Sequence, residues 1–287
     1  MANPLLEVKQ LQYSSEELID LNLTVKKKEI IHQVSFTINH HEFVGLVGPN
    51  GSGKTTLSKL LTKIIEPSNG HILLDGVDYV DFRPSWKLHQ EVSLVFQQVS
   101  SQFIGTDFIT DLTLSLKNFG WSIAKIENRI KQLTKQLHLK SLIKRPFREL
   151  SGGQQQLLAI AEAIAVKPKL LVLDEPTAQL DSENTFLVDQ LLAKIFKEES
   201  TSILLISHKP IELSLTQKLL TLNQGTLTGN YSTNEFLLDS NLLKENQLII
   251  PATLAIRDYV YKLTKVQLPL VDLSINSLIK AIETVLC

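Results

Sequence analysis

Lys54 and Thr55 close a run of small and turn-forming residues, Gly48-Pro49-Asn50-Gly51-Ser52-Gly53. Gly, four residues, then Gly-Lys-Thr is a spacing suited to holding a phosphate chain. The glycines let backbone N–H groups turn inward around phosphate oxygens. A helix beginning at Lys54-Thr55-Thr56 adds unpaired donors and a partial positive charge. In that arrangement Lys54 reaches the β- and γ-phosphates of a nucleotide and the Thr55 hydroxyl holds Mg²⁺. Asp174 and Glu175 suggest the matching acid chemistry. Asp174 would help hold Mg²⁺ through water, and Glu175 would orient and polarise an attacking water.

The elements that must position these groups are legible. Phe43-Val44-Gly45-Leu46-Val47 reads as a buried strand running into the glycine loop, and Leu57, Leu60, Leu61 and Ile64 recur at helical spacing after it. Apolar runs end at Gln97, at Asp174-Glu175 and at Ser207-His208. Such continuous runs suit strands buried on both faces of a parallel sheet. Functional residues gather at the carboxyl ends of these strands. Gln97, Asp174, Glu175 and His208 should therefore converge near the loop.

Ahead of the loop, Leu5 to Tyr13, Leu21 to Val25 and Val34 to Ile38 read as strands of an antiparallel sheet. Lys26-Lys27-Lys28 reads as a solvated turn, and His40-His41 as a polar turn rather than a metal site, since no ligand spacing accompanies it. Ile72-Leu73-Leu74-Asp75-Gly76 is a strand and turn. Residues from about 98 to 166 read as mainly helical, with Ile126, Ile130, Leu133 and Leu137 on one face. The tail from about Tyr231 reads as a separate small unit. Pro251 starts one helix with a stripe of Ala255, Ile256, Tyr259, Val260 and Leu263. Ser274 caps another with Ile275, Leu278, Ile279, Ile282 and Leu286 inward.

Bulk properties narrow the class. The 287 residues are 43% hydrophobic and 21% charged, an ordinary globular balance with room for a large domain and an appendage. The net charge of −1, from 29 basic and 30 acidic residues, gives no sign of nucleic acid as the main partner. The single cysteine, Cys287, excludes a disulfide framework and leads us to expect a reducing compartment. Met1-Ala2-Asn3-Pro4 lacks a basic region followed by an apolar one, so no signal peptide is expected. No apolar run reaches the ~18 residues of a membrane span, so work at a membrane would need other subunits.

Leu150-Ser151-Gly152-Gly153-Gln154, followed by a helical pattern, forms a second anion-binding helix start. Lying between Gln97 and Asp174, it resembles the signature motif of ATP-binding cassette (ABC) ATPases. The resemblance covers about residues 5 to 230. It implies an α/β fold: an ABC-type phosphate-loop ATPase with a mixed sheet core, an antiparallel β subdomain, a helical subdomain and a small C-terminal helical extension. The cassette would be residues 1–230, with the helical subdomain at about 98–166 and the extension at 231–287. Gln97 matches the Q-loop glutamine, which senses Mg²⁺ and the transmembrane partner. Ala178-Gln179-Leu180-Asp181 matches the D-loop, and His208 the switch histidine that contacts the γ-phosphate. In this family the signature of one subunit covers ATP on the loop of another. The resemblance thus implies a dimer with composite sites, to which Ser151, Gly152, Gly153, Gln154 and Asp181 contribute.

Val95-Phe96-Gln97-Gln98-Val99-Ser100-Ser101-Gln102-Phe103-Ile104-Gly105-Thr106 resembles a segment of the ATPases of energy-coupling factor (ECF) transporters and of cobalt and nickel importers. That resemblance implies a peripheral subunit at the cytoplasmic face of the membrane. It would pair with a second ATPase, alike or different, beneath a transmembrane scaffold that engages a substrate-binding membrane subunit for a vitamin or transition-metal ion. Alternatives are a non-transport ABC ATPase and a nucleotide-binding clamp with weak hydrolysis. The chain lacks the long coiled coil of repair relatives and the second cassette of ribosome-associated ones.

The departures are specific. Tyr13 is the nearest aromatic to the usual adenine-stacking position, which the register puts at Ser15. Gln98-Val99-Ser100 replaces the usual Asn-Pro-Asp. Asp111 matches the family aspartate, but Thr113-Leu114-Ser115 replaces Ala-Phe-Gly. Gln156-Leu157 replaces Gln-Arg, Lys209 stands where Asp is common, and His41-Glu42 replaces Gly-Glu.

Overall fold

The computed structural model describes residues 3–18, 25–99 and 102–286. β1 (Leu6–Leu18) and β2 (Val25–Ile38) form an antiparallel pair. Leu6, Val8 and Leu11 are all buried, which strict alternation would forbid. An irregularity at Gln10, whose φ is 47°, adds a residue and returns Leu11 to the inner face. The strand expected over residues 21–25 lies outside the described residues up to its last position. Lys26, Lys27 and Lys28 are not a turn. They are strand, opposite Glu17, Glu16 and Ser15, and Lys27 Nζ lies 3.6 Å from Glu16 Oε1. Cross-strand charge pairing on an edge outweighs lysine's low strand propensity.

His40-His41 forms the expected turn. His41 takes a φ of 52° and its ring stacks on Phe196 with centroids 4.4 Å apart. Among the described residues no group of three or more His, Cys, Asp or Glu could hold a metal ion. β3 (Phe43–Val47), buried at every position, leads through the glycine loop into α1 (Lys54–Leu61), which buries Leu57, Leu60 and Leu61. Ile64 lies beyond the helix end and is 46% exposed, so it does not extend that stripe. β4 (Asn69–Leu74) and β5 (Val77–Asp78) meet at left-handed Asp75 and Gly76, the conformation of a tight hairpin. The first sheet runs β2-β1-β4-β5.

α2 (Trp86–Glu91) precedes β6 (Val92–Val95). The helical region then comprises α3 (Phe108–Asn118), α4 (Ile123–Gln136) and α5 (Gly152–Ala163). Asp107 and Ser122 cap the first two through the N–H groups of Thr110 and Lys125. β7 (Leu170–Asp174), α6 (Ser182–Glu198), β8 (Ser202–Ile206), α7 (Pro210–Leu213), β9 (Lys218–Asn223) and β10 (Thr226–Ser232) follow. The second sheet has the order β10-β9-β3-β8-β7-β6, parallel except at β10.

β7 and β8 are buried throughout, and alternate residues serve different cores. Leu171, Leu173, Ile203 and Leu205 pack with the helical region. Val172, Leu204 and Ile206 pack with α1 and the antiparallel sheet. These two strands are thus clamped from both faces.

The tail is less separate than its sequence suggests. Tyr231 lies inside β10, and α8 (Thr233–Leu237) and α9 (Ser240–Glu245) continue directly onto the sheet. Phe236, Leu237, Leu243, Leu248 and Leu254 share a core with Val47, Leu213 and Leu219. α10 (Ala252–Thr264) and α11 (Ile275–Leu286) start at Pro251 and Ser274 as expected, and Ser277 N donates to Ser274 Oγ at 3.1 Å. Among the described residues their own core is small: Leu268, Leu278 and Ala281 are buried, with Val260, Leu270 and Ile282 packed against them. Ile275 and Ile279, expected inward, are 70% and 47% exposed. Helical spacing defines a stripe, but nothing among the described residues covers this part of it.

Candidate active site

The glycine loop is held in a shape only glycine allows. Gly48 and Gly53 have φ values of 154° and 106°. A Cβ on Gly48 would lie 1.9 Å from the Leu222 carbonyl oxygen, and one on Gly53 would lie 2.9 Å from Ile31 Cδ1. β9 and β2 therefore press the loop from behind. Lys54 Nζ donates to the carbonyls of Gly48 and Pro49 at 2.8 and 3.0 Å, curling over the loop. Burial lowers its pKa, opposed by the charges of Glu175 and Asp174. The Ser52 hydroxyl is buried with no partner. An orphaned hydroxyl and a lysine beside inward-turned backbone fit a phosphate chain.

A cleft of about 520 Å³ opens over the loop. Asn50, Lys54, Thr55 and Thr56 line it from the loop side and Glu175 from β7's end; Lys28 and His32 of β2 form a wall. Lys28 and His32 were not foreseen. Their sequence signal, a lysine run and a histidine within a strand, acquires meaning only once β2 lies over the loop.

The strand ends converge. Asp174 accepts a hydrogen bond from the Thr55 side chain and one from Ser58 Oγ at 3.3 Å. Its pKa is raised, first by burial and then by the charge of Glu175, against the Thr55 and Ser58 hydrogen bonds and the Lys54 charge. Glu175 sits in the left-handed region, φ 50°, with its N–H on the Ile206 carbonyl at 2.9 Å. That tight link to β8 turns its side chain toward two neighbours. Gln97 Nε2 donates to Glu175 Oε2 at 3.0 Å, and His208 Nε2 lies 3.4 Å from Glu175 Oε1. Burial lowers the His208 pKa, helped by Lys54's charge and opposed by Glu175.

The signature residues lie elsewhere. Ser151 caps α5 in a reciprocal box: Gln154 N donates to Ser151 Oγ at 3.3 Å, and Ser151 N donates to Gln154 Oε1 at 3.1 Å. A Cβ on Gly153 would lie 2.3 Å from Asn184 Oδ1, and Gly152 faces Leu180. Asp181 caps α6 by accepting from Asn184 N at 2.8 Å. Ser151, Gly152, Gly153, Gln154 and Asp181 thus gather by themselves, outside the cleft over their own loop. Tyr13 is half-buried against the core and does not line the cleft. It stands opposite Ile31, on the sheet face that covers Gly53.

Loop, sheet order and converging carboxylates define a nucleotide-hydrolysing protein of the phosphate-loop class. The sequence model of the ABC transporter family matches residues 31–178. The chain is 32% identical to the energy-coupling factor transporter ATP-binding protein EcfA1 of Mycoplasma genitalium, over 86% of this chain and 89% of that protein. It is 29% identical to the cobalt import ATP-binding protein CbiO of Syntrophus aciditrophicus, over 88% and 87%. Its structure is similar to that of cbiO1 from Clostridium perfringens, described as part of the ABC transporter complex cbiONQ. The TM-score is 0.74 at 25% identity, covering 90% of this chain and 100% of that one. A dimeric ATP-binding cassette bound to ADP and Pi shares the fold, with a TM-score of 0.69 at 24% identity. The chain belongs to the ABC transporter family, as an ATP-binding ATPase.

Proposed function

We propose that the chain is the ATPase subunit of an ECF-type importer, working at the cytoplasmic face of a membrane. It pairs with a second ATPase subunit beneath a transmembrane scaffold, which engages a substrate-binding membrane subunit for a vitamin or transition-metal ion. No helix among the described residues is long and apolar enough to cross a membrane, so the membrane path belongs to those partners. The likeness to EcfA1 and CbiO proteins supports the transporter type.

The observation that carries the hydrolytic reading is the meeting of Gln97 and His208 on the two carboxylate oxygens of Glu175, beside the loop lysine. Glu175 is the base that orients and accepts a proton from the attacking water. His208 contacts the γ-phosphate, and Lys54 leaves its own carbonyls to neutralise phosphate charge. Thr55 and Asp174, with Gln97 at the edge, would hold Mg²⁺, which neutralises charge on the phosphates when bound. Ser151, Gly152, Gly153 and Gln154, with Asp181, complete the partner's site. Residues 1–230 form the cassette, and the extension over 231–287 starts within β10 and shares the cassette's core through Phe236, Leu237, Leu243, Leu248 and Leu254.

Glu175→Gln tests the assignment. The variant should bind ATP, lose turnover and accumulate as a closed, ATP-loaded dimer by size-exclusion chromatography. Turnover at the native rate would remove Glu175 from its role.

A further inference from the structure

Beside the switch histidine stands a residue the family pattern does not supply. Lys209 occupies a position where aspartate is common, and its side chain, though 38% exposed, meets acceptors from the Thr177 loop, from α6 and from Glu212 in its own helix turn. Nζ donates to the Thr177 carbonyl at 2.8 Å, to Thr177 Oγ1 at 3.0 Å and to Thr185 Oγ1 at 3.2 Å, and lies 3.3 Å from Glu212 Oε1. Three N–H donors are thus shared among four oxygens. Glu212 is 2% exposed and also accepts from the hydroxyls of Thr177 and Ser207. Ser207 Oγ in turn accepts from Lys209 N at 3.0 Å.

The network closes around the reaction machinery without touching it. Thr177 lies two residues beyond Glu175, and its carbonyl also receives Leu180 N at 3.1 Å, the hydrogen bond that shapes the turn toward Asp181. Thr185 is in the first turns of α6. Ser207 and Lys209 flank His208, so both chain neighbours of that histidine are anchored. Asp189, also on α6, has a buried carboxylate oxygen without a partner and faces the charges of Glu212 and Lys209. An aspartate at 209 would add a third carboxylate to Glu212 and Asp189 and offer no donor.

We propose that Lys209 is a positioning residue, tying the loop that carries Glu175 and Asp181 to the strand end that carries His208. Without its side chain the 3.4 Å approach of His208 to Glu175 loses the direct tie between position 209 and the Thr177 carbonyl, leaving only the hydroxyl bridge of Thr177 and Ser207 through Glu212 and the Glu175–Ile206 backbone bond. This inference rests on the ATPase reading above.

The test is steady-state ATP hydrolysis by the full chain assembled with its transporter partners. Lys209→Ala should lower kcat about tenfold with KM for ATP unchanged, because misplacement affects the reacting geometry and not the phosphate cradle. Lys209→Arg, which keeps the charge and donors, should recover most of that loss. Native kcat in the alanine variant, a raised KM at native kcat, or an arginine variant as slow as alanine would each overturn the proposal. If Lys209→Ala fails to bind nucleotide, Thr185→Val decides. It removes one acceptor and leaves the buried carboxylate paired. A lowered kcat at native KM supports the role, and native turnover refutes it. A native assembly that does not hydrolyse ATP refutes the ATPase reading itself. Native turnover with unaltered variants refutes only Lys209.

Discussion

Glu162 shows what a single residue can do when its neighbours are carboxylates. It lies on α5 against Asp111, which accepts from the N–H groups of Ile104 and Gly105 at 3.0 and 2.6 Å and so pins the strap after Gln97. Burial pushes the Glu162 pKa up to about 9, with Asp111's charge and hydrogen bond adding to it. The folded chain therefore holds a proton that the unfolded chain releases above its ordinary carboxyl range. The stability this contributes is fully present below that range and is lost as pH rises toward about 9. The native thermal midpoint should fall from pH 6 to pH 9, and Glu162→Gln should flatten that fall. Equal slopes would show that the proton is not held. Sequence could place Asp111 by resemblance. It could not show that Glu162 meets it, because the two lie on different helices.

Helix starts are the elements that build the signature region, and their caps are local. Ser151 and Gln154 bond reciprocally within four residues, which is why that motif was legible before any fold was known. Ser151→Ala should cost about 1 kcal/mol of stability in chemical denaturation. It should leave nucleotide binding to the isolated chain unchanged, since Ser151 does not line its cleft. Weakened binding would place the signature in the chain's own site. The lysines of β2 are the opposite case. Their pairing with Glu16 and Ser15 is a property of two strands, and a local reading made them a turn.

At the scale of the molecule, the tail is joined to the cassette through a shared core. Leu254 is fully buried there, whereas Leu263 is 66% exposed. Leu254→Ala should destabilise by about 3 kcal/mol, the ordinary cost of a cavity in such a core, and Leu263→Ala by under about 0.5 kcal/mol. Equal effects would show the tail to be an independent unit. The sequence by itself determined the order of motifs: the glycine loop, Gln97, the signature, Asp174-Glu175 and His208, each following an apolar run or opening a helix. It could do so because strands and helix starts announce themselves through neighbouring residues. The tertiary structure alone decided which groups meet. Lys28 and His32 at the cleft wall, Asp111 with Glu162, and Lys209 with Thr177, Thr185 and Glu212 are brought together by sheet order and packing, and such contacts leave no periodicity in the chain.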